Sequence, residues 1–156
     1  MKILLSFLFL LFIALIIVFL LGVLRTAQTQ SQPQQKDFMR GTFPSPLPDG
    51  FQRGNAGVKT TWAGKIFDAK NHTGINVFEE NGKQVQKYPF IFYEGISVID
   101  GRKVLKLDYN VPSNPEYLHH VVDELVEIAP GKYLGKLNLR IRPFSFTLGF
   151  FTLSNP

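Results

Sequence analysis

The chain has no cysteine in its 156 residues, which excludes a disulfide framework, a lipid-modified cysteine anchor and a cysteine nucleophile. It has no glycine loop shaped to cradle a phosphate and no strand-turn-helix nucleophile elbow. Histidine occurs only three times, so a metal site has few nitrogen ligands to draw on. Charge is sparse as well. Aspartate, glutamate, lysine and arginine make up 19% of the chain, with a net charge of +5. Setting Lys2 aside leaves 16 of the 17 basic residues against 12 acidic ones, about +4, a balance too mild to imply a nucleic-acid partner. These absences remove the enzyme classes that short motifs can reveal, and no cofactor is called for.

What the chain does have is a long apolar start. Every residue from 3 to 24 is apolar except Ser6, and Gly22 is the only helix weakener. As a helix this run is about 33 Å long, enough to cross a hydrocarbon core of about 30 Å. A cleaved signal peptide is the competing reading of the Met1-Lys2 start. The run exceeds a usual signal core, however, and no small-x-small site follows it, Ala27 having Arg25 two places before. Residues 1–25 are therefore expected to be an uncleaved, single-pass transmembrane anchor with the lipid bilayer as a partner. Lys2 and the terminal amine nearly balance Arg25, Lys36 and Arg40 across it, a count that marginally favours a cytoplasmic C-terminus; the signal-like start favours an extracytoplasmic folded domain, and that reading is preferred. Residues 26–50 are expected to be a flexible Gln/Pro-rich linker, polar and aperiodic over residues 28–35 and stiffened by Pro44, Pro46 and Pro48. Residues 51–156 remain for one folded domain.

Within that domain the punctuation is antiparallel. Asn81-Gly82, Asp100-Gly101 and Pro130-Gly131 each separate runs rich in β-branched or aromatic residues. A two-residue loop at Asp100-Gly101 would pair Ile96 with Leu105 and Phe92 with Tyr109, putting Ile96, Val98, Leu105, Leu107 and Tyr109 on one face. The stretch after Asn114 admits two readings. As one helix, Leu118, Val121, Val122 and Leu125 form an apolar stripe and Glu124 is solvated. As a short helix over residues 115–120 followed by a strand over residues 121–129, it pairs with the alternating run that contains Tyr133, Leu137, Leu139 and Ile141. Only Leu134 breaks that alternation. The second reading is preferred, and folding back across Pro130-Gly131 sets Ile128 opposite Tyr133, Val126 opposite Gly135 and Glu124 opposite Leu137. Glu124 then faces inward, with Asp123, Leu125 and Glu127 outward.

Four of the 15 phenylalanines lie in the apolar start (Phe7, Phe9, Phe12 and Phe19), leaving eleven for the domain, more than one flat sheet face uses. A meander of seven or eight strands also has two open edges, which closure would remove. The expected fold is all-β: an N-terminal transmembrane helix, then a small antiparallel β-barrel or half-barrel with one short helix.

Several short motifs support this architecture. Trp62-Ala63-Gly64-Lys65-Ile66-Phe67, Leu107-Asp108-Tyr109, Asp123-Glu124 before Pro130-Gly131-Lys132-Tyr133-Leu134-Gly135, and Leu148-Gly149-Phe150-Phe151-Thr152-Leu153 together resemble uncharacterised bacterial calycin-like, that is lipocalin-like, membrane-anchored domains over residues 60–153. Thr60 stands where lipocalins proper place a glycine, and Arg140 or Arg142 is the candidate for their closing arginine. The resemblance implies a barrel suited to apolar small molecules and carries no catalytic residue.

The candidate ligand-binding residues are Trp62, Phe90, Phe92, Leu105, Tyr109, Glu124, Tyr133, Leu137 and Phe146. Glu124, among Val122, Val126 and Leu137, would need a partner or a raised pKa. Lys65, Lys106, Tyr109 and Tyr133 are the side chains through which it could orient a head group. His119 and His120 with Asp123 and Glu124 have the residue types of a metal site, but a polar surface accounts for them. Lys132, Lys136, Arg140 and Arg142 form a basic stripe read as solvated outer charge. The sequence thus points to a membrane-tethered barrel that binds a lipid or another apolar small molecule. A filled barrel docking on a membrane-protein partner, and a barrel enzyme using Glu124, are the alternatives.

Overall fold

The computed structural model describes residues 2–156; Met1 of the charged start lies outside the described residues. Its elements are α1 (Lys2–Gln30), α2 (Pro33–Arg40), β1 (Gly50–Asn55), β2 (Trp62–Asp68), β3 (Thr73–Glu80), β4 (Lys83–Ile96), β5 (Lys103–Asp108), a 3₁₀ turn (Glu116–His120), β6 (Val121–Ala129), β7 (Lys132–Ile141) and β8 (Phe144–Ser154). Each strand pairs antiparallel with the next, and β1 pairs with β8 through Arg53–Ser154, Gly54–Leu153 and Asn55–Thr152. The sheet is a closed eight-stranded barrel without a free edge, the outcome that the aromatic surplus and the edge argument favour.

The turns explain the pairing. Asn81 (φ 52°) and Gly82 (φ 71°) take the left-handed conformations that a two-residue hairpin needs, so Glu80 pairs with Lys83. The β4–β5 loop is longer than the Asp100-Gly101 pair alone. Ser97 N donates to Arg102 O and Ser97 Oγ to Asp100 Oδ2, so pairing starts at Ile96–Lys103 and Phe92 meets Leu107, not Tyr109. A shift of two residues keeps every side chain on its expected face, but Ile96 and Val98 fall at and beyond the sheet's end and are exposed.

The β6–β7 hairpin departs by one residue, and that reverses a strand. Ala129 pairs with Lys132 around Pro130-Gly131, with Gly131 at φ 66°. The next pair is Glu127–Tyr133, so Ile128 bulges out of the ladder. From there Leu125 meets Gly135, Asp123 meets Leu137 and Glu124 meets Lys136. The side-chain period of two then turns Asp123 and Leu125 inward and Val122, Glu124 and Val126 outward, opposite to the expectation. The strand itself and the short helix before it lie where the preferred reading put them.

Two cores result. The inner one contains Phe67, Phe90, Phe92, Leu105, Leu107, Tyr109, Leu125, Tyr133, Phe151 and Leu153. The outer one is Phe38 of α2 against Val104, Val126 and Leu134, with Phe150 beside them. Residues 26–40, expected to be a loose linker, are instead largely helical. Pro33 suits the first turn of α2, and Phe38 finds an apolar seat on the barrel wall and becomes wholly buried. Arg102 fixes the end of α2 by donating to Phe38 O (2.5 Å) and Gly41 O.

The two ends of the barrel differ. After α2 the chain pairs Thr42 with Glu127 and lays Phe43 and Leu47 against the inner core, closing the end formed by the β2–β3, β4–β5 and β6–β7 turns. The other end, formed by the β1–β2, β3–β4 and β7–β8 turns and the 3₁₀ segment, has no such cover. α1 is long and apolar enough to cross a membrane, and its large apolar side chains are exposed.

Candidate functional site

At the uncovered end a cavity of about 450 Å³ descends toward the inner core. Its walls are apolar and aromatic: Trp62, Phe78, Tyr88, Leu118, Leu137 and Phe151. Its polar groups are Lys65, Asn76, Tyr109 and Asp123, all buried. β2 supplies Lys65, which shares the inward parity of Phe67. β3 supplies Asn76, which pairs directly with Lys65, and the extra residue of the adjoining bulge is Tyr88 of β4. Tyr109 directly follows β5, and β6 supplies Asp123 through the Ile128 bulge.

These four side chains form one hydrogen-bonded cluster. Lys65 Nζ donates to Asn76 Oδ1 (2.9 Å), Asp123 Oδ2 (3.1 Å) and the Tyr109 hydroxyl, giving its three N–H groups three acceptors. Asn76 Nδ2 donates to the Tyr109 hydroxyl (3.0 Å) and to Tyr88 O (3.0 Å). Trp62 Nε1 donates to Asn76 Oδ1 at 3.1 Å. The ammonium also lies 5.2 to 5.4 Å from the ring centres of Trp62, Phe90, Tyr109 and Phe151, which favours a cation there. Burial lowers the Lys65 pKa against the opposing pull of Asp123, and it raises the Asp123 carboxyl against the pull of Lys65. Burial, then the neighbouring Asp123, drives the Tyr109 phenol well above its ordinary value, so it stays a protonated donor. One acceptor is left over: Asp123 Oδ1 is buried and has no hydrogen-bond partner.

Of the expected ligand-binding residues, Phe90, Phe92, Leu105, Tyr109 and Tyr133 are in the inner core, Trp62 packs against it, and Leu137 lines the cavity. Two lie elsewhere. Glu124 faces outward beneath α2, 3.9 Å from Lys106, with burial raising its pKa; this removes it from the cavity and from any acid or base role there. Phe146 is also outside, its ring 5.7 Å from Phe19 of α1. The β7–β8 bulge at Leu137/Asn138 and the small Gly22 let it seat on the helix. The basic stripe is not uniformly solvated either. Lys136 is wholly buried, 2.5 Å from Asp100 and 4.3 Å from the Phe38 ring centre, and Arg140 is 3.2 Å from Asp108. His119 Nε2 sits 3.1 Å from Val111 O and from Asn114 O, tying down the 3₁₀ segment. Among the described residues no group of three or more potential ligands is placed to hold a metal ion.

The sequence names Tyr109 as a ligand-binding residue and gives Lys65 and Tyr109 to Glu124 as head-group partners; it offers no signal for Asn76, and it places Asp123 on the outer face, where the one-residue slip of β6 overturns it. No protein-family model, curated protein or solved structure matches this chain.

Proposed function

We propose that this protein is a membrane-anchored β-barrel that holds an apolar small molecule, most simply a lipid chain, in its open end. The observation that carries the reading is the cavity itself: about 450 Å³ of mostly apolar wall converging on one buried polar cluster, within the size range of small-molecule sites. The unpartnered Asp123 Oδ1 gives the cluster a vacant acceptor, suited to a hydroxyl, amide or ammonium on the ligand. The calycin-like resemblance fits such a role, as does a bilayer-spanning α1 that holds the barrel beside its ligand's source, with the barrel on the extracytoplasmic side. A larger groove of about 790 Å³ at the closed end is less suited, because its charged residues Asp37, Arg40 and Glu127 are not buried and do not converge.

One feature favours the rival reading, a filled structural module that docks on a membrane-protein partner. Below the cluster the barrel is solid with Phe67, Phe92, Leu105, Leu107 and Leu125. Native mass spectrometry of the full chain released from membranes in detergent separates the two. A discrete added mass that is lost in Leu137→Trp, which fills the cavity, supports the binder; the bare chain mass supports the module.

A further inference from the structure

The direction in which α1 runs along the barrel fixes where the open end lies relative to the bilayer. Phe19 packs edge-on against Phe144 (4.9 Å) and Phe146, at the start of β8. Three residues on, Gly22 lies under the Phe146 ring. Arg25 Nε then donates to Leu148 O (2.6 Å), and the Thr26 hydroxyl accepts from Thr147 N (3.0 Å). As residue numbers rise in α1 they rise in β8, so the helix descends from the β7–β8 tip toward the closed end. Residues 3–18 must therefore project beyond the tip, on the side of the cavity mouth. At 1.5 Å per residue those 16 residues reach only about 24 Å, less than the roughly 30 Å of a hydrocarbon core. Filling the core takes about 20 residues, from Ile3 to about Gly22, which brings the membrane boundary down past Phe19 and onto the tip.

The tip is built for that position. Ile141 and Phe144 are about half exposed, and Arg142 beside them is exposed. Arg25 follows the apolar run at the level where phosphates would lie, and its guanidinium adjoins Gly149, a lining residue of the cavity mouth. Across the mouth, Val58 of the β1–β2 loop is 72% exposed. The opposite end is shut by Phe43 and Leu47.

We infer that the open end of the barrel rests on the bilayer, with the Ile141–Phe144 tip dipped into the leaflet, so that the cavity opens onto lipid and takes its ligand from that leaflet and not from water. This rests on the membrane-anchored reading above, and the test keeps the two apart. The chain is free of cysteine, so single cysteines report position directly. Leu10→Cys in α1, Phe144→Cys and Ile141→Cys at the tip, and Val98→Cys in the β4–β5 loop at the closed end would each be nitroxide-labelled in the full chain in phosphatidylcholine vesicles. Relaxation by oxygen, which concentrates in hydrocarbon, is compared with relaxation by a water-soluble nickel chelate. The expected result is oxygen dominance at Leu10 and at both tip sites, with nickel dominance at Val98. Nickel dominance at the two tip sites with Leu10 in hydrocarbon overturns the inference alone; nickel dominance at Leu10 overturns the anchor and the inference with it. Trp62, the sole tryptophan, lines the mouth. Lipids brominated along the acyl chain should therefore extinguish most of its fluorescence, and unchanged emission overturns lipid access to the cavity. A bare chain mass in the native spectrum, with the tip labels in hydrocarbon, would sink the binding reading and leave the orientation standing.

Discussion

Removing Lys65 alone should damage the barrel far more than removing Lys65 and Asp123 together. Both side chains are about 3% exposed and joined at 3.1 Å. Lys65→Met leaves a methyl thioether of similar length among the four aromatic rings, so lost packing is small. It also leaves the Asp123 carboxylate buried without its cation, and stranding a buried charge in this way costs about 3–5 kcal/mol. Part of that is recovered if Asp123 takes up a proton, a response its burial-raised pKa already favours. In the double variant Lys65→Met/Asp123→Leu no charge remains, and buried pairs replaced by apolar groups are commonly neutral or gain about 1–4 kcal/mol. The coupling from the double-mutant cycle should thus be large, favouring the pair by about 3 kcal/mol or more. Urea unfolding of the full chain in micelles, followed by far-ultraviolet circular dichroism and by Trp62 emission, measures it. With a slope of roughly 2 kcal/mol per molar urea, the single variant should lose about 2 M in midpoint. A loss under about 0.5 M, or a coupling near zero, would mean that water from the mouth already solvates the pair, and the buried polar cluster would cease to be an argument for a ligand.

Other consequences are independent of that cluster. Glu124 is buried outside the barrel and its pKa is raised, chiefly by burial; the folded state therefore binds the proton more tightly than the unfolded chain, and stability falls as pH rises above the ordinary glutamate range. Glu124→Gln should flatten that fall, matching wild type in acid and exceeding it at neutral pH in urea titrations; a variant less stable at neutral pH would show that Lys106 more than offsets the burial cost. Phe38→Ala should cost about 3–5 kcal/mol of packing against the wall, chiefly by releasing α2, so limited trypsin digestion should cut after Lys36 and Arg40 while the barrel core stays intact. Gly135 lies under the Phe151 ring, where a β-carbon would collide. Gly135→Ala should cost about 1–3 kcal/mol in thermal unfolding, with partial rescue by Phe151→Leu.

The legible part of the sequence was whatever depends on one-dimensional spacing. The apolar run, the hairpin dipeptides and the aromatic surplus give the helix, the meander and its closure. The illegible part was which face of each strand becomes the interior. β6 reads Val121-Val122-Asp123-Glu124-Leu125-Val126-Glu127-Ile128, with apolar and acidic residues on both parities, because the wall there is buried on both sides, inward by the aromatic core and outward by α2. Periodicity cannot choose between two apolar faces. The choice fell to the one-residue bulge at Ile128, and a single slip moves every side chain across the sheet. One signal was present. Leu134, the only break in the alternation of β7, is the residue that meets Phe38 from outside. An apolar residue on a supposedly wet face is a request for cover, and α2 provides it.

That double burial also explains where the charges ended up. A wall exposed on its outer face would keep Lys136 in water. Covered by Phe38, Lys136 must find Asp100, and Asp100 must hold it: burial pushes this carboxyl's pKa up, but bonds from Lys136, Gln35 and Ser97 outweigh that and keep it low. Gln35 belongs to α2, so the same carboxylate joins the helix, the β4–β5 loop and β7. α1 enters the same framework through Thr26, Thr29 and Arg25 on β8. Residues 19–40 are thus a splint along one side of the barrel, and a splint transmits direction. Because Arg25, Thr26 and Thr29 bond α1 directly to β8, the tilt of the membrane helix sets the tilt of the mouth. Inserting a flexible Gly-Ser segment between Gln30 and Pro33 would leave α1 seated on β8. Severing Arg25 and Thr26 from β8 would free the barrel to turn, and only the second change should move the Phe144 label out of the leaflet.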